Sequence, residues 1–142
     1  MNVLQHYPIR VRIQVTWGEM DSFGHVNNIY YFRYFETTRV RFFHEIGLLQ
    51  YMKETGVGPI LAETSCTFKK PIFYPDTLTV GSGIRSIGKG SFIMDYSVFS
   101  EKAGISASGE ARIVMYDYNK ARKTDIPPHL KSTLENYKRT DS

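Results

Sequence analysis

Residues 15–46 read VTWGEMDSFGHVNNIYYFRYFETTRVRFFHEI, and the fold is decided there. A strand pattern ends near Trp17, and a loop containing Gly18 and Gly24 follows, carrying Asp21 and His25. One long aromatic helix comes next. Asn27 or Asn28 suits its N-cap, because a short amide side chain accepts from the unpaired N–H groups of the first turn. Gly47 suits its C′ position. On a helical wheel Tyr31, Phe32, Phe35, Phe42, Phe43 and Ile46 share one arc, and Arg33, Thr37, Arg41, His44 and Glu45 share the opposite one. Glu36 and Arg39 fall inside the apolar arc three residues apart, which predicts a buried ion pair. A helix this greasy belongs against a sheet. An acid on a short loop beside its N-terminus, where unpaired N–H groups and the helix dipole favour negative charge, is a candidate hydrolytic site.

Outward from this stretch the period changes to two. Ile9, Val11, Ile13, Val15 and Trp17 alternate with Arg10, Arg12, Gln14 and Thr16, which predicts a half-buried strand before the helix. After a short irregular or helical connector over 48–58, four strand patterns follow. The first carries Ile60, Ala62, Thr64, Cys66 and Phe68 on one face; the second runs through Leu78, Val80, Ser82 and Ile84. Gly88-Lys89-Gly90 turns the chain into Phe92, Met94, Tyr96 and Val98, and Lys102-Ala103-Gly104 turns it into a strand over about 105–116. That last strand has a small face, Ala107, Gly109 and Ala111, which lets a bulky helix approach. Residues 129–139 predict a loose terminal helix. Strand, long helix and a four-strand meander make an α+β fold.

The 142 residues make one domain with a real core. A net charge of +4 with no early Lys/Arg-rich run favours a small anionic ligand over nucleic acid. The single cysteine, Cys66, permits no internal disulfide and fits a reducing compartment. Its place in an apolar alternation reads as a packed thiol. The first ten residues lack the apolar core of a signal peptide, and no apolar run reaches transmembrane length, so the expectation is a cytoplasmic protein. The four histidines show no ligand spacing, so no metal is expected.

The segment DSFGHVNNIYYFRYFETTR resembles the 4-hydroxybenzoyl-CoA thioesterase-like branch of the hotdog-fold superfamily. The matching positions are Asp21, Gly24, Val26-Asn27-Asn28, Tyr31, Tyr34, Phe35-Glu36 and Arg39. The HVNN piece is also similar to acyl-ACP thioesterases. The likeness covers roughly residues 8–118, leaving 119–142 as a tail to a single domain over 1–142. It implies a hotdog fold, a five-stranded antiparallel sheet wrapped around one long central helix. It implies hydrolysis of an acyl-CoA thioester between the protomers of a homodimer or homotetramer, with no cofactor. Asp21 would be nucleophile or general base, and a backbone N–H near Asn28 would polarise the carbonyl. Relatives often carry Tyr and His where this chain has Asn27 and Asn28.

Each residue also has a plainer reading. Asp21 can cap a turn. His25 can polarise water, hold Asp21, or simply pack its ring in the loop. Asn27 and Asn28 can be caps, and Glu63 can be solvated or at a subunit contact. Gly24, Val26, Asn27 and Tyr31 are candidates for shaping the substrate site, and Lys69, Lys70, Arg85 and Lys89 for holding the CoA phosphates or for ordinary surface charge. Two other functions compete with a thioesterase: a non-catalytic acyl-CoA-binding module, which would not need Asp21, and an acyl-thioester dehydratase, which uses a His with an acidic partner.

Overall fold

A computed structural model describes residues 3–140; the two residues at each end of the expected 1–142 domain lie outside them. The alternation at the start forms β1 (Ile9–Gln14), with Ile9 and Val11 buried. Trp17 does not continue it. Thr16 and Glu19 form a capping box around a 3-10 turn, Trp17–Glu19, which ends the strand early and leaves Trp17 exposed. The aromatic run forms α1 (Asn28–Glu45), capped by Asn27. Gly47, at φ +80°, separates it from α2 (Leu48–Thr55), so the connector is helical.

The strands are β2 (Val57–Phe68), β3 (Thr77–Ile87), β4 (Ser91–Ser100), β5 (Gly104–Asp117) and a two-residue β6 (Arg122–Lys123). They make one antiparallel sheet in the order β1-β3-β4-β5-β2, with β6 added to β5. The sheet thus has six strands, the five expected and a short extra one. The first strand of the chain lies at one edge, and β2 lies at the other. A register shift between Leu61 and Glu63 interrupts the alternation read for β2. Cys66 nevertheless stays half-buried, and burial pushes its thiol up to about 11, the behaviour of a packed group. Glu63 is exposed and pairs with Arg112 at 3.2 Å.

The small face of β5 has the role its composition predicts. A Cβ on Gly109 would sit 2.4 Å from Phe35 Cε2, so the helix ring occupies the space a side chain would need. Phe35 is fully buried and stacks on Tyr96 with ring centroids 4.5 Å apart. Tyr96 and Gly109 are register partners on adjacent strands, so β4 supplies the stacking surface and β5 the gap.

Two further expectations are corrected. The terminal segment is not loose: α3 (Pro128–Glu135) buries Leu130 and Leu134, and the chain beyond it bonds to β3, with the Ile84 N–H donating to the Tyr137 carbonyl and the Arg139 N–H to that of Ile84. The pair Glu36–Arg39 does not form. Glu36 lies just past the buried stripe of α1 and is exposed, whereas Arg39 is buried, and its charge lowers the pKa of the buried Tyr96 hydroxyl against the larger upward effect of burial. Glu36→Ala should therefore shift stability by less than about 0.5 kcal/mol. Arg39→Ala should cost about 1–3 kcal/mol by removing a buried side chain and the charge beside the Tyr96 phenol. Thermal melts of the two variants check the asymmetry, and equal losses would refute it.

Candidate active site

The loop of residues 19–27 is a small hairpin, not a floppy connection. The Asn27 N–H donates to the Glu19 carbonyl at 2.9 Å, Met20 bridges Val26, and the Asp21 N–H donates to the His25 carbonyl at 2.8 Å. At the tip the Gly24 N–H donates to the Asp21 carbonyl at 3.1 Å, and Gly24 takes φ +87°, the left-handed region glycine enters without strain. Asp21 Oδ1 accepts the Phe23 N–H at 2.8 Å, the side-chain turn that aspartate commonly makes. The capping reading of Asp21 is thus correct for one oxygen.

The other oxygen, Oδ2, lies 3.5 Å from His25 Nδ1, which also lies 3.2 Å from the Val26 carbonyl. Both oxygens are acceptors within reach of a proton on Nδ1. Asp21 and His25 keep 20% and 35% of their side chains exposed, so both are held yet reachable.

The hairpin leads directly into α1. Asn27 Oδ1 accepts the Ile29 N–H at 3.2 Å, so the amide caps the helix. Asn28 is the first helical residue, and its N–H has no intrahelical acceptor. Val26 is fully buried and its N–H donates to the Ile72 carbonyl at 2.8 Å, which pins the hairpin to the segment after β2. Tyr31 is buried beneath, with its ring edge-on to Phe68 at 4.9 Å; burial pushes its hydroxyl up to about 12.

A cleft of about 230 Å³ opens beside the helix start, lined by His25, Asn28, Tyr31, Phe68, Lys69, Lys70 and Pro71. The structure therefore brings His25, Asn28, Tyr31, Lys69 and Lys70 together. Lys70 Nζ donates to the Ala103 carbonyl at 3.0 Å. Arg85 and Lys89 lie elsewhere in the protomer. Arg85 pairs with Glu110 in a separate hollow shared with Tyr7, Asp95 and Arg139, and Lys89 faces Asp125 at 3.9 Å in another. Phe68, Pro71 and the ring of Phe73, edge-on to His25, were not foreseen as site residues. No short motif marks them; the β2 register and the chain path after it bring them in.

A profile of the thioesterase-like superfamily matches residues 15–134. The chain belongs to that superfamily. An Aquifex aeolicus protein named "Putative esterase" is 32% identical over 100 residues, covering 70% of this chain and 78% of the relative. In fold, this thioesterase-like chain resembles the DHNA-CoA thioesterase of Staphylococcus aureus (19% identity, 91% and 87% of the two chains, TM-score 0.80). It also resembles a second S. aureus protein solved in complex with CoA (17% identity, 94% and 87%, TM-score 0.87). The expected hotdog fold and thioester-hydrolase class are those of this superfamily.

Proposed function

We propose that this member of the superfamily hydrolyses acyl-CoA thioesters to a free acid and CoA. The observation that carries the reading is the hairpin that runs into the helix start and sets Asp21 beside His25, whose ring lines a cleft with Asn28, Lys69 and Lys70. The thioester carbonyl oxygen gains negative charge as its carbon is attacked. The Asn28 N–H and the helix dipole stabilise that charge. Asp21 either attacks the carbon directly, giving a mixed anhydride that water then opens, or removes a proton from the attacking water. The thiolate of CoA leaves and takes up a proton from water. CoA suits the cationic rim, and the S. aureus relative of the same fold holds CoA.

Release of free thiol from a panel of acyl-CoAs, read with a thiol reagent, tests the reading. Tight binding without thiol release would instead make the chain a binding module. The contact between His25 and an acid favours a dehydratase as the second reading, and reversible hydration of an enoyl-CoA without thiol release would select it. Charge reversal at Lys69 and Lys70 is expected to raise KM severalfold with little change in kcat, since tethering groups bind substrate and transition state alike. A fall in kcat at constant KM would refute the tether.

The working unit in this proposal is at least a homodimer, with a homotetramer as the larger form. Edge strand β2 leaves Ile60, Leu61 and Phe68 about 40% exposed, and Phe68 is also a wall of the cleft. A second copy on this edge would cover the apolar side chains and pair the free backbone groups. Sedimentation at micromolar concentration should give at least twice the chain mass, and a monomer would overturn this part.

A further inference from the structure

We infer that Glu19 and Tyr34 form a latch that sets Asp21 against the helix start, making both of them positioning residues for the hydrolysis. The inference rests on the proposed role of Asp21. Glu19 stands at the base of the hairpin, directly across from the helix cap: its carbonyl accepts the Asn27 N–H at 2.9 Å. Its side chain turns the other way. Glu19 Oε1 accepts the Thr16 N–H at 2.9 Å and the Tyr34 hydroxyl at 2.8 Å. One residue thus bonds the end of the first strand, the N-cap and the body of α1.

Tyr34 lies on α1, two turns past the cap, and its side chain leans back toward the N-terminus as helical aromatics do. The residue is almost fully buried, so its ring cannot swing, and Glu19 is half-buried. Burial, followed by the bond to Glu19, raises the phenol's pKa, which keeps the hydroxyl a donor. A hydrogen bond to a carboxylate is among the stronger kinds. Asp21 is two residues beyond Glu19, and the rung at Asp21–His25 is the next but one above Glu19–Asn27. Rotation of the hairpin on the helix would carry the Asp21 carboxylate with it, and a displacement of about 1 Å is enough to cost an enzyme heavily. The other anchor, the Val26 N–H on the Ile72 carbonyl, holds the opposite strand of the hairpin, so neither anchor replaces the other.

Tyr34→Phe keeps the ring and deletes the hydroxyl. It is expected to lower kcat roughly tenfold, the scale of a charge-assisted hydrogen bond, with KM within about twofold. In an Asp21→Asn background the same substitution should cost less than about twofold more, because residues acting through one group are not additive. Glu19→Gln keeps an acceptor oxygen for both donors and should retain most of the activity, whereas Glu19→Ala should fall to the level of Tyr34→Phe or below. Equal losses from Tyr34→Phe in both backgrounds would show a general structural role and overturn the latch. Full kcat in Tyr34→Phe beside a crippled Asp21→Asn would overturn the latch alone. Full turnover in Asp21→Asn would overturn the assignment of Asp21, and the latch with it.

Discussion

Asp21→Asn is expected to lower kcat by about 10²-fold or more, the lower end of what a positioned base or nucleophile supplies, while folding and substrate binding persist. The amide keeps Oδ1 as an acceptor for the Phe23 N–H, so the turn at the hairpin tip survives. What is lost is the carboxylate charge and the basic oxygen facing His25. Neither direct attack nor proton abstraction works without them. His25→Ala should lose less, because His25 touches Asp21 and the cleft but is not required to carry the reaction. Steady-state kinetics on both variants, with mass spectrometry to exclude deamidation of the new Asn, checks the order. Full turnover by folded Asp21→Asn would reduce the hairpin to scaffold.

Phe35→Ala is expected to destabilise the fold by about 3–5 kcal/mol, the usual range for emptying an aromatic site in a core. The site collapses poorly, because its floor is backbone at Gly109 and its wall is the ring of Tyr96, neither of which can move inward cheaply. The complementary change gives a sharper measurement. Gly109→Val in the wild-type chain forces methyl groups into the Phe35 ring and should cost about 1–3 kcal/mol, as overpacking does. In the Phe35→Ala chain the same methyls enter the vacated space and the cost should shrink, leaving the part set by the Ser65 carbonyl oxygen, 2.7 Å from a Cβ at 109. Denaturant unfolding of the four proteins in this cycle reads the coupling, and additive losses would refute the contact as the reason for a glycine at 109.

The helix, the strands and the small face were legible because each rests on local periodicity. A residue every second or every third-to-fourth position lands on one surface whatever the rest of the chain does. Asp21, His25 and Asn28 were legible as a candidate site because one short hairpin and the helix residue directly after it carry them all. Lys69 and Lys70 carry only their charge as a sequence signal, and Phe68 and Pro71 carry none, since their place beside Asn28 depends on pairing between β2 and β5 far along the chain. Trp17 went astray because alternation says nothing about where a strand stops; the Thr16-to-Glu19 spacing, a capping signature, carried that information and would also have singled out Glu19. Glu36 went astray because a wheel has no sharp edge, and a residue one step beyond the buried stripe is solvated. The register shift near Leu61 left no sequence signal beyond its effect on pairing.

The placement of β2 at the far edge of the sheet has a consequence for synthesis. Among the described residues its only strand partner is β5, which begins at Gly104, 36 residues after β2 ends at Phe68. At about 5–20 residues per second, the ribosome delivers β5 roughly 2–7 s after β2. Through that interval β2 has no strand to pair with on either side, and it carries Ile60, Leu61 and Phe68. Neighbouring nascent chains on one messenger would present the same unpaired segment in the same interval. The strand proposed as the assembly edge is, for those seconds, an unpaired segment that a chaperone would have to shield.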